Sequence, residues 1–452
     1  MKNVNGKNNK KTNSTKKTTK TEESYRIFAK GCKRTEDTRA SGTSNNSILI
    51  GNPGSGKTGS VIWYNLLSTN RSVIVADTKR VLYRACAKDL RKRGFKVHVL
   101  DFVEPEKSEP FNILDGIRRV KKKVHRVVCP GEVDDQGNVL LEEEVMDVTV
   151  ETYRQQDVQK ISAILIPNSK HEERFWIDGS RMVLTSLIAY VLEQLPREEQ
   201  HMGSVADLFR QMCSDMAERG SVSFFSELED TDPDSYALKK YNLFRNLYSS
   251  EKTWVCISQF VANALDVFDT EENAAMLCRP GIDLAACGME KTALFLNLSD
   301  CDRSQENIVN ALYAQLFQKL IETADNNGGR LKMPVHVMID DFASWYIPDF
   351  DLTMAVIRSR DISASIVLQS LSQLEGLYEK AQATTIVNSC DTMMLLACQD
   401  VDTAKFFADK AGMLPESILS LDKDHAWLFI RGEKAKLVEK LPPYGSLDDL
   451  EV

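Results

Sequence analysis

The chain has 452 residues, a formal net charge of −8, and 42% hydrophobic and 27% charged residues, the balance of a soluble globular protein. That length exceeds one compact domain and predicts a large core with an inserted subdomain. No apolar run approaches the roughly 20 residues that span a bilayer; the best, Met182 to Leu192, is interrupted by Thr185 and Ser186 and reads as a buried helix.

Residues 1–43 read as a disordered basic arm and a polar approach. The first 20 residues carry seven Lys and no acid, which suits neither a signal peptide nor a foldable segment. Without those lysines, 50 basic residues face 65 acidic ones, so the field of the body repels phosphate, and any nucleic-acid contact needs a local patch or a pore.

Residues 44–116 alternate strand and helix signals. SILIG (47–51), SVIVAD (72–77) and KVHVLDF (96–102) are short apolar runs separated by helical stretches, VLYRACAKDLRKRG (81–94) among them. Such spacing implies right-handed crossovers and a parallel sheet. Residues 117–158 break the pattern and read as an inserted β-rich hairpin turning at Asp135, Gln136 and Gly137. From 159 to 265 apolar residues recur at helical spacing, predicting an all-α domain. The strand pattern returns over 266–440 with TALFLNL, VHVMI, ASIVLQ, TMMLLAC and, as the expected edge strand, HAWLFIRG (425–432); residues 441–452 read as an acidic tail. The fold class is therefore α/β, with the helical segment inserted between early and late strands of one mostly parallel sheet.

Ten Cys never fall as C-x-x-C, and several sit in apolar runs, which predicts reduced, buried thiols; six His show no ligand spacing, and His336 lies in an apolar strand where a core role is expected. No metal site made of protein ligands alone is assigned.

The chemistry begins at Gly51-Asn52-Pro53-Gly54-Ser55-Gly56-Lys57-Thr58, a full G-x-x-x-x-G-K-[ST] match after a strand and before a helix. Gly54 and Gly56 let backbone N–H groups close around phosphates at a helix N-terminus, Lys57 places a cation on the β and γ oxygens, and the Thr58 hydroxyl is a Mg²⁺ ligand held through the nucleotide. Asp340 and Asp341 follow the run Val335 to Ile339, at the end of a buried strand where open α/β sheets bind ligands. One carboxylate would hold the Mg²⁺ shell and the other activate water. Gln369 ends the neighbouring strand, in reach of a γ-phosphate or the lytic water. Arg358 and Arg360 are either cations at a helix C-terminus or fingers reaching a neighbouring subunit. Arg91, Lys92, Arg93 and Lys96 are either phosphate contacts in a pore or a solvated helix end.

Across Ser47 to Gly412 the chain resembles the TraG/TraD-type coupling proteins of type IV secretion. The resemblance is carried by GNPGSGKTGSVIWYNLL, by SVIVADTKRVLYRACAKDLRKRGFKVHVLDF, by FWIDGSRMVLTSLIAYVLEQLP and EKTALFLNLSD, and most specifically by MPVHVMIDDFASWYIPDFDLTMAVIRSRDISASIVLQSLSQLEGLYE. It implies a RecA-like phosphate-loop NTPase with an all-α substrate-recognition domain, assembling as a homo-hexamer. ATP and Mg²⁺ would drive a relaxase-bound single DNA strand into the secretion channel. Lys57 and Thr58 then take the nucleotide roles, Asp340 and Asp341 the acidic pair, and Gln369 the sensing position. Three features depart from the family. The two N-terminal membrane helices are missing, which implies a separate membrane protein as anchor and a cytoplasmic, peripheral location. The acidic motif has Asp341 where the family has Glu, one methylene longer. The segment DPKGE reads DTKRV, keeping Asp77 and Lys79. Two alternatives follow: a non-hydrolysing adaptor that binds nucleotide and recruits relaxase or effector proteins, and a soluble DNA pump of the FtsK type.

Overall fold

The apolar runs become strands that alternate their side chains between two covered faces. Ile48, Ile50, Ile74, Ala76, Val337, Ile339 and Ile366 face one way, and Leu49, Val73, Val75, Met338 and Val367 the other. Two-sided burial is why these segments read as continuous apolar runs and not as alternating ones. The computed structural model describes residues 24–129, 132–133, 139–141, 144–168, 174–248 and 250–450.

The central sheet is built from β3 (Ser47–Ile50), β4 (Ser72–Asp77), β5 (Lys96–Asp101), β8 (Thr292–Asn297), β9 (Val335–Ile339), β10 (Ile362–Leu368), β11 (Thr392–Leu395), β12 (His425–Ile430) and β13 (Lys436–Glu439). Their order is β13-β12-β11-β3-β10-β9-β4-β8-β5. The pairs from β11 across to β5 are parallel, and β12 and β13 add on antiparallel. The edge was expected at 425–432; Lys436–Glu439 folds back and pairs outside it. The strand KLVE is too short, and too exposed on three of its four positions, to carry an apolar signal.

On one face lie α1 (Trp63–Ser68), which continues the wide turn Lys57–Ile62, and α2 (Val81–Lys92). Arg93 closes the end of α1, donating to the carbonyls of Leu66 at 3.2 Å and Leu67 at 2.7 Å, and to Thr69. That places one member of the basic cluster on a helix C-terminus, where the macrodipole favours a cation. Lys96 pairs with Glu290 at 2.6 Å.

Between β5 and β8 run the inserted elements. Strand β6 (Arg119–Cys129) pairs antiparallel with β7 (Glu144–Tyr153); the turn expected at 135–137 lies outside the described residues. Helices α3 (Gln155–Leu165), α4 (Arg174–Gln194), α5 (Met202–Arg219), α6 (Ser223–Thr231), α7 (Tyr236–Leu247) and α8 (Glu251–Leu265) follow. Helix α4 is long and apolar enough to cross a membrane, yet 67% of its most apolar window is buried inside the fold. The helices share one continuous core with the sheet: α9 (Glu306–Asn326) packs Leu312, Leu316 and Leu320 into the same cluster as Val158, Ile161, Val183 and Leu187.

The stretch before the phosphate loop departs from its reading as arm and polar approach. Tyr25–Ala29 (β1) and Cys32–Thr35 (β2) form an antiparallel hairpin, and Arg26, 4% exposed, reaches beneath the sheet. Its guanidinium donates to the Asn45 carbonyl, to Ser365 Oγ and, at 2.9 Å, to Ser47 Oγ. His336 joins the same network through Ser365 at 2.9 Å and Ser363 at 2.8 Å. Burial, reinforced by Arg26, holds His336 well below its ordinary pKa, the core role expected for it. Burial likewise lowers Arg26 to about 10. Replacing Arg26 with Ala strands the hydroxyls and carbonyl it satisfies; the expected cost is about 2–4 kcal/mol, read as a lowered guanidinium-unfolding midpoint.

Candidate nucleotide site

The loop between β3 and α1 turns because Gly54 and Gly56 take φ of 79° and 93°, a region closed to most L-residues. The turn leads directly into the first turn of the helix, Lys57–Ile62, with Gly56 at its N-cap. Lys57 Nζ donates to the loop carbonyls of Gly51 and, at 3.1 Å, of Asn52. Burial lowers its pKa while Asp340 and Asp341 oppose the shift. Ser55 Oγ is buried with no hydrogen-bond partner among the described residues. A glycine-rich loop with an unspent hydroxyl at a helix N-terminus suits a phosphate chain.

Facing the loop, the Thr58 hydroxyl donates to Asp340 Oδ2 at 2.5 Å. The other oxygen, Asp340 Oδ1, accepts from the Asp341 N–H at 3.0 Å. Burial raises the Asp340 pKa, outweighing the stabilisation its carboxylate receives from Thr58, the Asp341 N–H and Lys57. A hydroxyl and a carboxylate already in contact form the oxygen-rich donor set that Mg²⁺ selects.

The remaining predicted residues separate into those at this site and those turned elsewhere. Asp341 has φ of 50°, and its Oδ2 accepts from Ser344 Oγ at 2.8 Å. Gln369 stands just beyond β10, exposed, with its N–H donating to Gln373 Oε1 at 2.9 Å. Arg358 donates to the Gly42 carbonyl at 2.7 Å. Arg360 grips both oxygens of Asp325, at 2.8 and 3.1 Å. Both guanidiniums are thus engaged within the chain.

In DTKRV, Asp77 caps α2 by accepting from Val81 at 3.1 Å and Tyr83 at 2.8 Å. Arg80, where the expected motif has Gly, keeps a left-handed backbone with φ of 56°. Ion pairs to Asp101 at 3.0 Å and Glu104 at 3.1 Å hold it there. A feature missed from sequence is the segment after β13, which lies on the loop's helix through Tyr444 N–H to the Gly59 carbonyl at 3.1 Å. The aromatic in PPYG was its only signal.

Loop, acidic strand end and sheet order together define a RecA-like phosphate-loop fold. The unbound coupling protein TrwBΔN70 superposes with a TM-score of 0.64 at 14% identity, covering 93% of this chain and 88% of that one. TrwB in complex with ADP and Mg²⁺ superposes at 0.60, also at 14% identity, covering 87% and 84%. The chain belongs to the family of the type IV secretory system described as conjugative DNA transfer, whose model matches residues 1–415. Among curated relatives, the type IV secretion system-coupling protein VirD4 of Bartonella quintana (strain Toulouse) is 20% identical over 284 residues, 61% of this chain and 43% of that protein. VirD4 of Bartonella henselae is 21% identical over 292 residues, 63% and 44%. The chain thus aligns with less than half the length of these relatives.

Because the Asp340 pKa is raised in the fold, the folded chain holds that proton more tightly than the unfolded chain. Stability is greatest below the ordinary carboxylate range and falls as pH rises through the raised value. Asp340→Asn is therefore expected to raise the melting temperature at pH 7 without nucleotide or Mg²⁺, with the gain shrinking as the pH falls toward about 4, checked by thermal melts across pH.

Proposed function

We propose that this chain is the ATP-driven motor of a type IV secretion coupling protein, moving a relaxase-bound single DNA strand toward the secretion channel. The observation that carries the reading is the Thr58–Asp340 contact at 2.5 Å, set in a fold of the TrwB type. TrwB has been solved with ADP and Mg²⁺ and with a non-hydrolysable ATP analogue, which supports ATP and Mg²⁺ as ligands here.

In this reading the N–H groups following Gly54 and Gly56 bind the phosphates, and Lys57 leaves the carbonyls of Gly51 and Asn52 to donate to the β and γ oxygens. Thr58 and Asp340 hold the metal, which when bound draws charge from the phosphate oxygens. Asp341 receives the proton of the attacking water, and Gln369 orients that water from the adjacent strand end. Arg358 or Arg360 acts across a subunit boundary in a homo-hexamer by exchanging its present partner for phosphate. Relaxase recognition falls to the helical domain, and a separate membrane protein anchors the chain at the inner face of the plasma membrane.

A second reading has its own observation. The Asp341 carboxylate is short and already accepts from Ser344, an arrangement that favours a nucleotide-binding adaptor with little turnover. ATPase assays with and without single-stranded DNA separate the two. The motor reading expects DNA to stimulate hydrolysis and Lys57→Ala to lower it by at least about 100-fold; a DNA-independent rate removes its main support. The adaptor reading expects negligible turnover by the native chain and a large gain in Asp341→Glu.

A further inference from the structure

Residues 441–450 take no part in the roles above, yet they are fastened to the helix that carries Lys57 and Thr58. Leu441, 1% exposed, packs beside Ile27 and Tyr64. The Tyr64 hydroxyl donates to the Pro442 carbonyl at 2.8 Å, and Trp63 Nε1 to the Gly445 carbonyl at 2.8 Å. Asp449 Oδ2 folds the segment on itself by accepting from the Ser446 N–H at 2.7 Å. These contacts deliver one side chain to a defined place. Tyr444 donates its N–H to the Gly59 carbonyl at 3.1 Å, and its ring meets Trp63 edge-on at 5.4 Å.

Gly59 is the residue after Thr58, on the turn whose N–H groups would bind the phosphates in the reading above. A Cβ there would lie 3.0 Å from Tyr444 Cε2 and 3.0 Å from Pro443 Cβ, so the absence of a side chain at 59 is what admits the ring. Tyr444 also holds φ of 59°, rare for a bulky residue and kept only where surrounding contacts impose it. Such strain concentrates at ligand sites. After burial itself, the charges of Asp340 and Asp77 raise the hydroxyl's pKa. The residue is 46% exposed, so its contacts with the helix leave much of it open to solvent.

We infer that Tyr444 is a nucleotide-contacting residue, its ring walling the pocket beside Gly59 and its hydroxyl donating to the phosphate–ribose portion of the bound nucleotide. The inference rests on the nucleotide-binding reading above. It also assigns the segment after β13 to the site, as its outer wall.

Calorimetric titration of the full chain with Mg²⁺ and ADP tests this, using native protein, Lys57→Ala, Tyr444→Phe and Tyr444→Ala. Tyr444→Phe keeps the ring against Trp63 and Gly59 and removes only the hydroxyl, so a purely structural role leaves its affinity unchanged. The expected result is native binding, its loss in Lys57→Ala, and a Kd raised about 5- to 10-fold in Tyr444→Phe at an unchanged melting temperature. Tyr444→Ala is expected to weaken binding at least as much; should it unfold, Tyr444→Phe decides. Native binding with Tyr444→Phe within twofold of it overturns the Tyr444 assignment alone. No binding by the native chain overturns the nucleotide reading, and this inference with it.

Discussion

The hydrogen bond from Thr58 to Asp340 joins residues 282 positions apart, and the architecture serves to make it. Strands β3 and β9 are not neighbours; β10 lies between them. Adjacent strands stand about 4.8 Å apart, so the two strand ends are separated by about 10 Å. The glycine loop and the wide first turn of its helix close that gap. Register sets how the ends meet: Leu368 is opposite Ile50, and Ile339 is opposite Ile366, itself opposite Ile48, so β9 stops two residues short of β3. A one-residue slip in either ladder would turn the carboxylate to the other face.

Because the sheet is covered on both faces, the charges at its carboxyl ends are costly. Burial lowers Lys57 and raises Asp340 and Asp77, so each ionised form is disfavoured there. The structure compensates locally, with loop carbonyls for Lys57, a hydroxyl and an N–H for Asp340, and helix N–H groups for Asp77. These partners are the groups a nucleotide and its metal would compete for or join. A site poised in this way is less stable than an apolar one and ready for a charged ligand.

The helical region does not stand apart from this arrangement. Its core is continuous with one face of the sheet through α9, so a shift of α3 or α4 is felt by packed side chains that reach β9 and β10. The opposite face, under α1 and α2, forms a separate cluster. The two faces can therefore respond differently, the first to the helical domain and the second to the loop.

The sequence by itself determined the parallel strands, the phosphate loop and the acidic strand end. Each is written in contiguous residues whose spacing has a direct physical meaning, as with G-x-x-x-x-G-K-T or five buried residues before Asp340. It also placed the helical segment between early and late strands, since a change from short apolar runs to three-to-four spacing is local. What only the tertiary structure decided involves partners distant in the chain. Arg26 looked like one charge in a polar approach, and burial under the sheet beside Ser47 and Ser365 makes it a core residue. Arg358 and Arg360 read as helix-end cations or as fingers for a neighbouring subunit, and only the fold sets Gly42 and Asp325 beside them. Tyr444 looked like one residue of an acidic tail, and only the return of the chain past β13 sets it on Gly59. Periodicity reports which face of an element is covered, and it carries no information about what covers it.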